Sequence, residues 1–304
     1  MNEHSQFEIG SIGSKGEKME KILVTGATGQ IGKAVVEALT DRRINVKAAA
    51  RNAAILPTTQ FVKPVVFDYE DATTHLAALS GVSGIFLVAP PLDLDAPAKL
   101  IPFIDTAKAA GVEHIVFNSA LGVDRSDQAP LRIIELHLIG SGIGYTILRP
   151  NFFMENLTTG FIAPMIARGE IYLAAGDGKT SFISVKDIAE AASASFVQKT
   201  YGVEYNLTGP EALDYAQAAK IISDVSGRTV TYYAVLEEAM LQAAREKGMA
   251  EGVVQYLAIL YTAVRNGSMA IVTSDMREAT GRDPISFAEF ARRNAMAWRM
   301  EEAA

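Results

Sequence analysis

The feature that most constrains the fold is a glycine-containing stretch, residues 21–33, which reads KILVTGATGQIGK. Ile22 to Val24 suit a strand that is buried on both faces, and from Gln30 onward apolar residues recur at helical spacing. The glycines lie in the turn between this strand and this helix. A glycine triplet in that context predicts a site for the phosphates of a dinucleotide, and the alternative is an ordinary glycine-rich turn.

Each glycine of the stretch has its own expected role. Gly26 permits the tight turn, Gly29 lets the backbone approach a pyrophosphate, and Gly32 allows the helix to pack closely on the strand. The N–H groups near Gln30 and Ile31 then face the phosphates with the positive end of the helix dipole.

Strand patterns and helical patterns continue to alternate as far as residue 150. Further strands are predicted at residues 45–50, 64–67, 84–88, 112–118 and 145–148. Six strands alternating with helices indicate an α/β fold, a Rossmann doubly wound parallel sheet with helices on both faces. Ligands bind at the carboxyl ends of the strands in such sheets.

Three segments are expected along the chain. Residues 1–18 are polar and lack periodicity, so they are interpreted as a disordered leader or tag. Residues 19–150 are expected to form the NAD(P)-binding Rossmann domain. Residues 151–304, which include a strand at 203–207, are expected to form a smaller α+β substrate-binding lobe. Because no linker separates the halves, this lobe should interleave with the sheet edge.

The end of the second strand bears on the choice of cofactor. An NAD site usually has an acidic side chain there, whereas this chain has Arg51 followed by Asn52. A guanidinium can pair with a 2′-phosphate, so NADPH is predicted in preference to NADH, and an exposed surface arginine is the alternative. Asp68, after the third strand, either meets the adenine or caps a turn.

Composition excludes several classes of function. The net charge is −7 without a run of lysines or arginines, so no nucleic-acid partner is expected. The chain has no cysteine, and its four histidines show no ligand spacing, so no metal site is predicted. The apolar runs are too short to cross a membrane, which makes the cytoplasm the expected location. No serine lies in a Gly-x-Ser-x-Gly elbow.

Five motifs together resemble the NmrA-like atypical short-chain dehydrogenase/reductases, and the resemblance runs from residue 21 to the closing helix. The motifs are TGATGQIG at 25–32, RN at 51–52, GVEHIVFNS at 111–119, YTILRPNFFMEN at 145–156 and SFISVKDIA at 181–189. The family includes quinone oxidoreductases, triphenylmethane-dye and azo reductases and reductases of aromatic polyketide tailoring. It also includes redox-sensing regulators that catalyse no reaction.

The resemblance implies roles for individual residues. Ser119 lies where many short-chain dehydrogenases have a catalytic serine, and Arg51 resembles the reader of the 2′-phosphate. Ala89 and Pro90 resemble neighbours of the nicotinamide ribose. The residues that resemble the pyrophosphate loop are Gly26, Thr28, Gly29, Gln30 and Ile31.

The chain departs from ordinary short-chain dehydrogenases in lacking their Tyr-x-x-x-Lys pair. None of its ten tyrosines has a lysine four residues later. The nearest matches are Tyr145 with Arg149, which falls on a predicted strand, and Tyr261 with Arg265. In the usual enzymes that pair passes a proton to the substrate oxygen. A quinone or a cationic dye accepts hydride without prior protonation, so such a substrate needs placement more than acid catalysis.

The substrate site is expected just after the last two strands of the first half. Apolar walls are predicted from Phe152, Phe153 and Phe182, although all three side chains also suit a core. Hydrogen bonds to a reduced oxygen are predicted from Asn118, Ser119 or His137. A surface helix is the alternative position for His137.

Two functional hypotheses follow. The first is an NADPH-dependent reductase of a quinone or a related planar aromatic compound, including a step of aromatic polyketide tailoring. The second is a regulator that senses NAD(P) without catalysis and controls a partner protein. The missing tyrosine and lysine are compatible with both, and a protein partner or a homodimer is left open.

Overall fold

The computed structural model of the protein describes residues 21–299, so the expected leader at residues 1–18 lies outside the described residues. Seven parallel strands form one sheet, and two further strands pair in a small parallel sheet. The strands are β1 (Lys21–Val24), β2 (Asn45–Ala50), β3 (Val62–Val66), β4 (Gly84–Val88), β5 (His114–Asn118), β6 (Gly144–Pro150), β7 (Glu170–Leu173), β8 (Val203–Leu207) and β9 (Thr231–Ala234).

The described α-helices alternate with the strands in the first half and cluster in the second. They are α1 (Gln30–Asp41), α2 (His75–Leu79), α3 (Ala96–Ala109), α4 (Pro130–Ser141), α5 (Ala163–Ile166), α6 (Val185–Gln198), α7 (Tyr215–Ser226), α8 (Glu237–Glu246), α9 (Glu251–Arg265), α10 (Asp275–Thr280) and α11 (Phe287–Arg293).

The large sheet has the strand order β3-β2-β1-β4-β5-β6-β8. The order reverses between β1 and β4, where Val24 of β1 pairs with Phe86 of β4. A reversal of this kind opens a crevice at the carboxyl ends of the strands. The predicted Rossmann class is therefore confirmed.

Helices cover both faces of the sheet. On one face, Val35 of α1 and Ile188 of α6 pack against strand residues such as Val116. On the other face, Phe103 of α3 and Ile134 of α4 complete a second core. Burial on both faces explains why the strands read as nearly continuous apolar runs.

The second half of the chain contributes to the sheet as well as to the smaller lobe. Strand β8 pairs with β6, with Tyr205 opposite Leu148, and α6 packs beside α1. The sequence assigned both elements to the lobe, so a division at residue 150 does not separate the sheet from the rest of the chain. The lobe itself comprises the β7–β9 pair with α7, α8 and α9 around a core that contains Tyr215 and Tyr261.

Local chemistry sets several element ends. Helix α7 begins at Tyr215, where Asp214 and Gln217 form a capping box. Helix α6 begins at Val185, where the Ser184 hydroxyl accepts a hydrogen bond from the N–H of Lys186. Among residues 21–299, no helix has the length and apolar character needed to span a bilayer.

Candidate functional site

The glycine turn between β1 and α1 has the geometry of a phosphate cradle. Gly26 has a φ of +61°, and a Cβ there would lie 2.7 Å from Cγ1 of Val88. A Cβ at Gly32 would lie 2.6 Å from the carbonyl carbon of Gly26. Thr28 and Gly29 are exposed in front of the first turn of α1. Backbone N–H groups are thus open to an anion at a helix N-terminus, and the residues present fit a dinucleotide.

Thr25 fixes the cradle to the neighbouring strand. Its Oγ1 donates to the carbonyl oxygen of Phe86 at 3.1 Å and accepts from the N–H of Val88 at 3.0 Å. The N–H of Ala27 donates to the carbonyl oxygen of Ala49 at 3.2 Å. These bonds hold the carboxyl ends of β1, β2 and β4 together. The sequence motif contained Thr25 without indicating this role.

Arg51 and Asp68 follow β2 and β3, the two strands on one side of β1. Arg51 is exposed, and its guanidinium makes no hydrogen bond or ion pair with residues 21–299. Asp68 accepts a hydrogen bond from the N–H of Glu70 at 3.1 Å, which is the turn-capping role that the sequence left open. Contact of Asp68 with the adenine stays a prediction.

The chain after β4 continues the same edge toward the expected nicotinamide position. Ala89 and Pro90 are half-buried there. The Tyr69 hydroxyl donates to the carbonyl oxygen of Val88 at 2.9 Å, and burial raises the pKa of Tyr69 above its usual value. Tyr69 therefore holds the end of β4 as a neutral donor, a role that sequence reasoning missed.

The end of β5 carries two buried polar side chains. Asn118 is 7% exposed, and its Oδ1 has no hydrogen-bond partner within the described part of the chain. An orphaned acceptor at the carboxyl edge of the sheet fits a ligand that brings a donor. Ser119 is bonded, since its Oγ donates to Oε1 of Glu135 at 2.6 Å.

Glu135 belongs to a buried network of charges on α4 and β6. Its side chain is fully buried, and it accepts from Nε of Arg149 at 2.9 Å and from Nη2 of Arg149 at 2.8 Å. Nη1 of Arg132 donates to the same carboxylate at 2.9 Å. Arg149 also pairs with Asp124 and Glu204. Arg149 was noted in the sequence only for its spacing from Tyr145, and Glu135 was missed.

Two predicted site residues lie elsewhere. Nε2 of His137 is 2.8 Å from Oδ1 of Asp105, so His137 joins α4 to α3 at the surface, which is the alternative that the sequence left open. Phe182 is 3% exposed and packs against Tyr215 and Phe287 in the core of the lobe. A ring enclosed by these partners cannot form a substrate wall, so that interpretation of Phe182 is corrected.

Phe152 and Phe153 stay in the candidate site. Both follow β6 directly, and both are only partly buried. The Phe152 ring lies 6.3 Å from the Tyr261 ring, at the boundary between the sheet edge and the lobe. Phe152 packs against the core of the lobe and Phe153 against the core that contains α1 and α6, and each residue keeps part of its surface exposed.

Two carboxylates that the sequence did not single out lie next to this edge. Glu155 accepts from the Ser184 hydroxyl and from the N–H of Val185, each at 2.9 Å, at the start of α6. Asp187 accepts from the N–H of Ile285 at 2.9 Å. Burial raises the pKa of Glu155, and burial with the nearby Glu155 charge raises the pKa of Asp187 to about 6.

One hydrogen bond joins the cradle to the segment after β6. Nε2 of Gln30, the first residue of α1, donates to Oγ1 of Thr159 at 2.8 Å. The second half of the chain therefore contacts the phosphate end of the site as well as its aromatic end. Within residues 21–299, no group of three or more histidine or acidic side chains could hold a metal ion.

The chain is similar to known proteins over most of its length. A model of the NmrA-like family matches residues 18–265. NAD(P)H azoreductase of Xenophilus azovorans is 33% identical over 286 residues, which cover 91% of this chain and 99% of the relative. Prestalk A differentiation protein A of Dictyostelium discoideum is 32% identical over 277 residues, covering 89% of this chain and 91% of the relative.

A solved structure is similar over the same range. It is a crystal structure of an NADPH-dependent quinone oxidoreductase from Escherichia coli complexed with NADPH. The TM-score is 0.77 at 29% sequence identity, and the match covers 90% of this chain and 99% of the other.

Proposed function

The chain belongs to the NmrA-like family, and from that membership we propose that it is an NADPH-dependent reductase of a quinone or a related planar aromatic acceptor. The observation that carries the proposal is the open glycine cradle on the same sheet edge as the partly exposed residues Phe152 and Phe153. The relative named as an azoreductase and the neighbour named as a quinone oxidoreductase support it, since both act on flat conjugated compounds.

The proposed preference for NADPH depends on Arg51. Its exposed guanidinium has no partner in residues 21–299, and it follows β2, where the ribose of the adenosine is expected. A guanidinium offers paired donors that match a phosphate, and no acidic side chain replaces it at that strand end. The free charge is therefore available to a 2′-phosphate.

The roles of the remaining residues follow from their chemistry. Bound NADPH supplies a hydride. Phe152 and Phe153 place a planar acceptor by stacking, and Asn118 offers an unpaired amide oxygen at the edge. Ser119 already donates its proton to Glu135, so it does not supply a proton to the acceptor. None of these side chains supplies a proton, which suits an acceptor whose reduced form is stabilised by delocalisation.

The proposal is tested with purified protein, NADPH and a panel of quinones and azo dyes, by following the loss of NADPH absorbance. We expect turnover with at least one flat conjugated acceptor and a higher KM in Phe152→Ala, because stacking area is lost. The Tyr172→Ala variant is a matched control, since that exposed ring stacks on Tyr233 in the small sheet, away from β6.

Absence of turnover with every acceptor, together with tight binding of NADP⁺, would refute the reductase and favour the regulator. Absence of NADP⁺ binding would refute both.

A further inference from the structure

We propose that Glu135 fixes the Ser119 hydroxyl as a hydrogen-bond acceptor, so that the end of β5 recognises an O–H or N–H donor on the aromatic ligand. The inference rests on the proposed function, because the ligand in question is the planar compound bound at that edge. It reverses the expectation that Ser119 donates to a reduced oxygen. Glu135 acts through Ser119 and is therefore a positioning residue.

The Ser119 hydroxyl has one proton, and that proton is committed. Oγ of Ser119 lies 2.6 Å from Oε1 of Glu135, which is a short distance typical of a bond to a charged acceptor. A carboxylate between guanidinium groups accepts hydrogen bonds and has no proton to donate. Ser119 must therefore be the donor in this pair, and only its lone pairs stay available to another group.

The Glu135 carboxylate cannot turn away from Ser119. Arg149 binds it with two nitrogens, at 2.9 and 2.8 Å, and Arg132 adds a third hydrogen bond at 2.9 Å. The Glu135 side chain is fully buried, so no solvent competes for its oxygens. If the Ser119 hydroxyl turned away, Oε1 of Glu135 would keep only its hydrogen bond from Nε of Arg149. Leaving a buried carboxylate oxygen short of a hydrogen bond is unfavourable.

Ser119 is 4% exposed. It follows β5 directly, at the carboxyl edge of the sheet. Its backbone N–H donates to the carbonyl oxygen of Leu148 at 2.8 Å, which fixes the residue beside the end of β6. A ligand that binds at this edge and reaches the Ser119 hydroxyl meets an acceptor there. Among planar ligands, quinones included, those that carry a hydroxyl or amino donor should consequently bind better than those without one.

The test compares naphthol with its methyl ether, two probes of similar shape that differ in one donor. Dissociation constants are measured by calorimetry with protein saturated with NADP⁺. We expect the wild type to bind naphthol about 3- to 10-fold more tightly than the ether, as for one net hydrogen bond. Ser119→Ala should remove this preference, and Ser119→Thr, which keeps a hydroxyl, should restore it.

A matched control is Ser141→Ala, which removes a buried hydroxyl at the other end of α4 that bonds only within its own turn. It should keep the preference of the wild type. Glu135→Gln tests the positioning role. A glutamine amide can donate a hydrogen bond to Oγ of Ser119, and the hydroxyl proton of Ser119 is then available to the ligand. The binding preference should then shift toward the ether. If the role of Glu135 were only structural, the substitution would weaken the binding of both probes equally.

The outcomes separate this inference from the proposed function. Equal binding of the two probes by the wild type, or a preference that survives in Ser119→Ala, overturns the inference and leaves the reductase standing. Binding of neither probe in the presence of NADP⁺ also overturns the inference, whereas the turnover assay with quinones and azo dyes decides the proposed function. If Glu135→Gln does not fold, the serine variants still decide whether Ser119 is an acceptor.

Discussion

Asn118 provides a sharp test because it is buried with its amide oxygen unpaired among the described residues. Oδ1 of Asn118 has no partner in the described part of the chain, and the residue is 7% exposed. A buried polar group without a hydrogen bond costs about 1–3 kcal/mol. The Asn118→Leu substitution keeps the approximate shape and removes the amide, so we expect the free protein to become more stable.

The expected size of the effect is set by the amide that is removed. We expect a gain of about 1 kcal/mol in the free energy of unfolding after some loss from imperfect packing of the leucine. For a large domain this corresponds to a rise in Tm of roughly 2–4 °C. Binding of NADPH or of the aromatic acceptor should weaken at the same time, because the ligand loses its acceptor.

Asn151 gives a matched control at the end of the next strand. It is 3% exposed, but its Nδ2 donates to Oγ of Ser181 at 2.8 Å and to the carbonyl oxygen of Met269 at 2.9 Å. Its Oδ1 accepts from the N–H of Phe152 at 2.9 Å. Asn151→Leu should therefore destabilise the protein by about 2 kcal/mol or more, since several buried partners are left unpaired.

The assay is thermal unfolding of both variants and the wild type, with and without NADPH, alongside direct titration of the ligands. Opposite signs for the two substitutions in the free protein support the reasoning. If Asn118→Leu lowers the Tm as Asn151→Leu does, the amide of Asn118 is satisfied in the free protein and the argument fails.

Three further predictions follow from the site. Arg51→Ala should weaken NADPH binding by about 1–3 kcal/mol and leave NADH binding unchanged, measured by fluorescence titration; equal effects on both would contradict the 2′-phosphate role. Gly32→Ala should destabilise the protein by about 1–3 kcal/mol and abolish cofactor binding, because the new Cβ meets the backbone of Gly26. The control is Gly140→Ala in α4, where a new Cβ would meet no atom within 4 Å and should stabilise the protein by about 0.5–1 kcal/mol. Similar denaturation midpoints for the two variants would refute the clash at Gly32. Burial raises the pKa of Asp187 from 3.8 to about 6. The folded state therefore takes up a proton at a higher pH than the unfolded state, and the stability of the protein falls as pH rises through this window. As pH increases from about 4 to about 6, the Asp187→Asn variant should therefore gain up to about 3 kcal/mol of stability relative to the wild type. Urea unfolding curves that show a constant difference in the free energy of unfolding across this range would exclude the effect.

The sequence predicts the cradle well because its chemistry is local. The turn at Gly26, the start of α1 at Gln30 and strand β2 depend on residues within a few positions of one another. The Rossmann sheet follows from alternation alone. By contrast, Glu170–Leu173 is a four-residue strand whose partner is far along the chain, and no local pattern indicates that pairing.

Side-chain roles were harder to predict because they depend on packing between distant elements. Phe182 and Phe153 look alike in sequence, yet the core of the lobe encloses only the first. His137 has no partner in its own helix pattern, and Asp105 becomes its partner only when α3 packs against α4. The bond from Ser119 to Glu135 depends on how α4 lies over the sheet.

The position of β8 has a consequence for how the protein is made. Strand β6 carries the buried Arg149, and its outer neighbour β8 is synthesised only after the segment that contains α5, β7 and α6. During translation β6 is therefore an edge strand, unpaired on its outer side, until β8 has been synthesised. Arg149 also lacks its ion pair with Glu204 until then, because Glu204 belongs to β8. Nascent chains stalled between these two strands should be more susceptible to proteases than chains stalled just after β8 has left the ribosome.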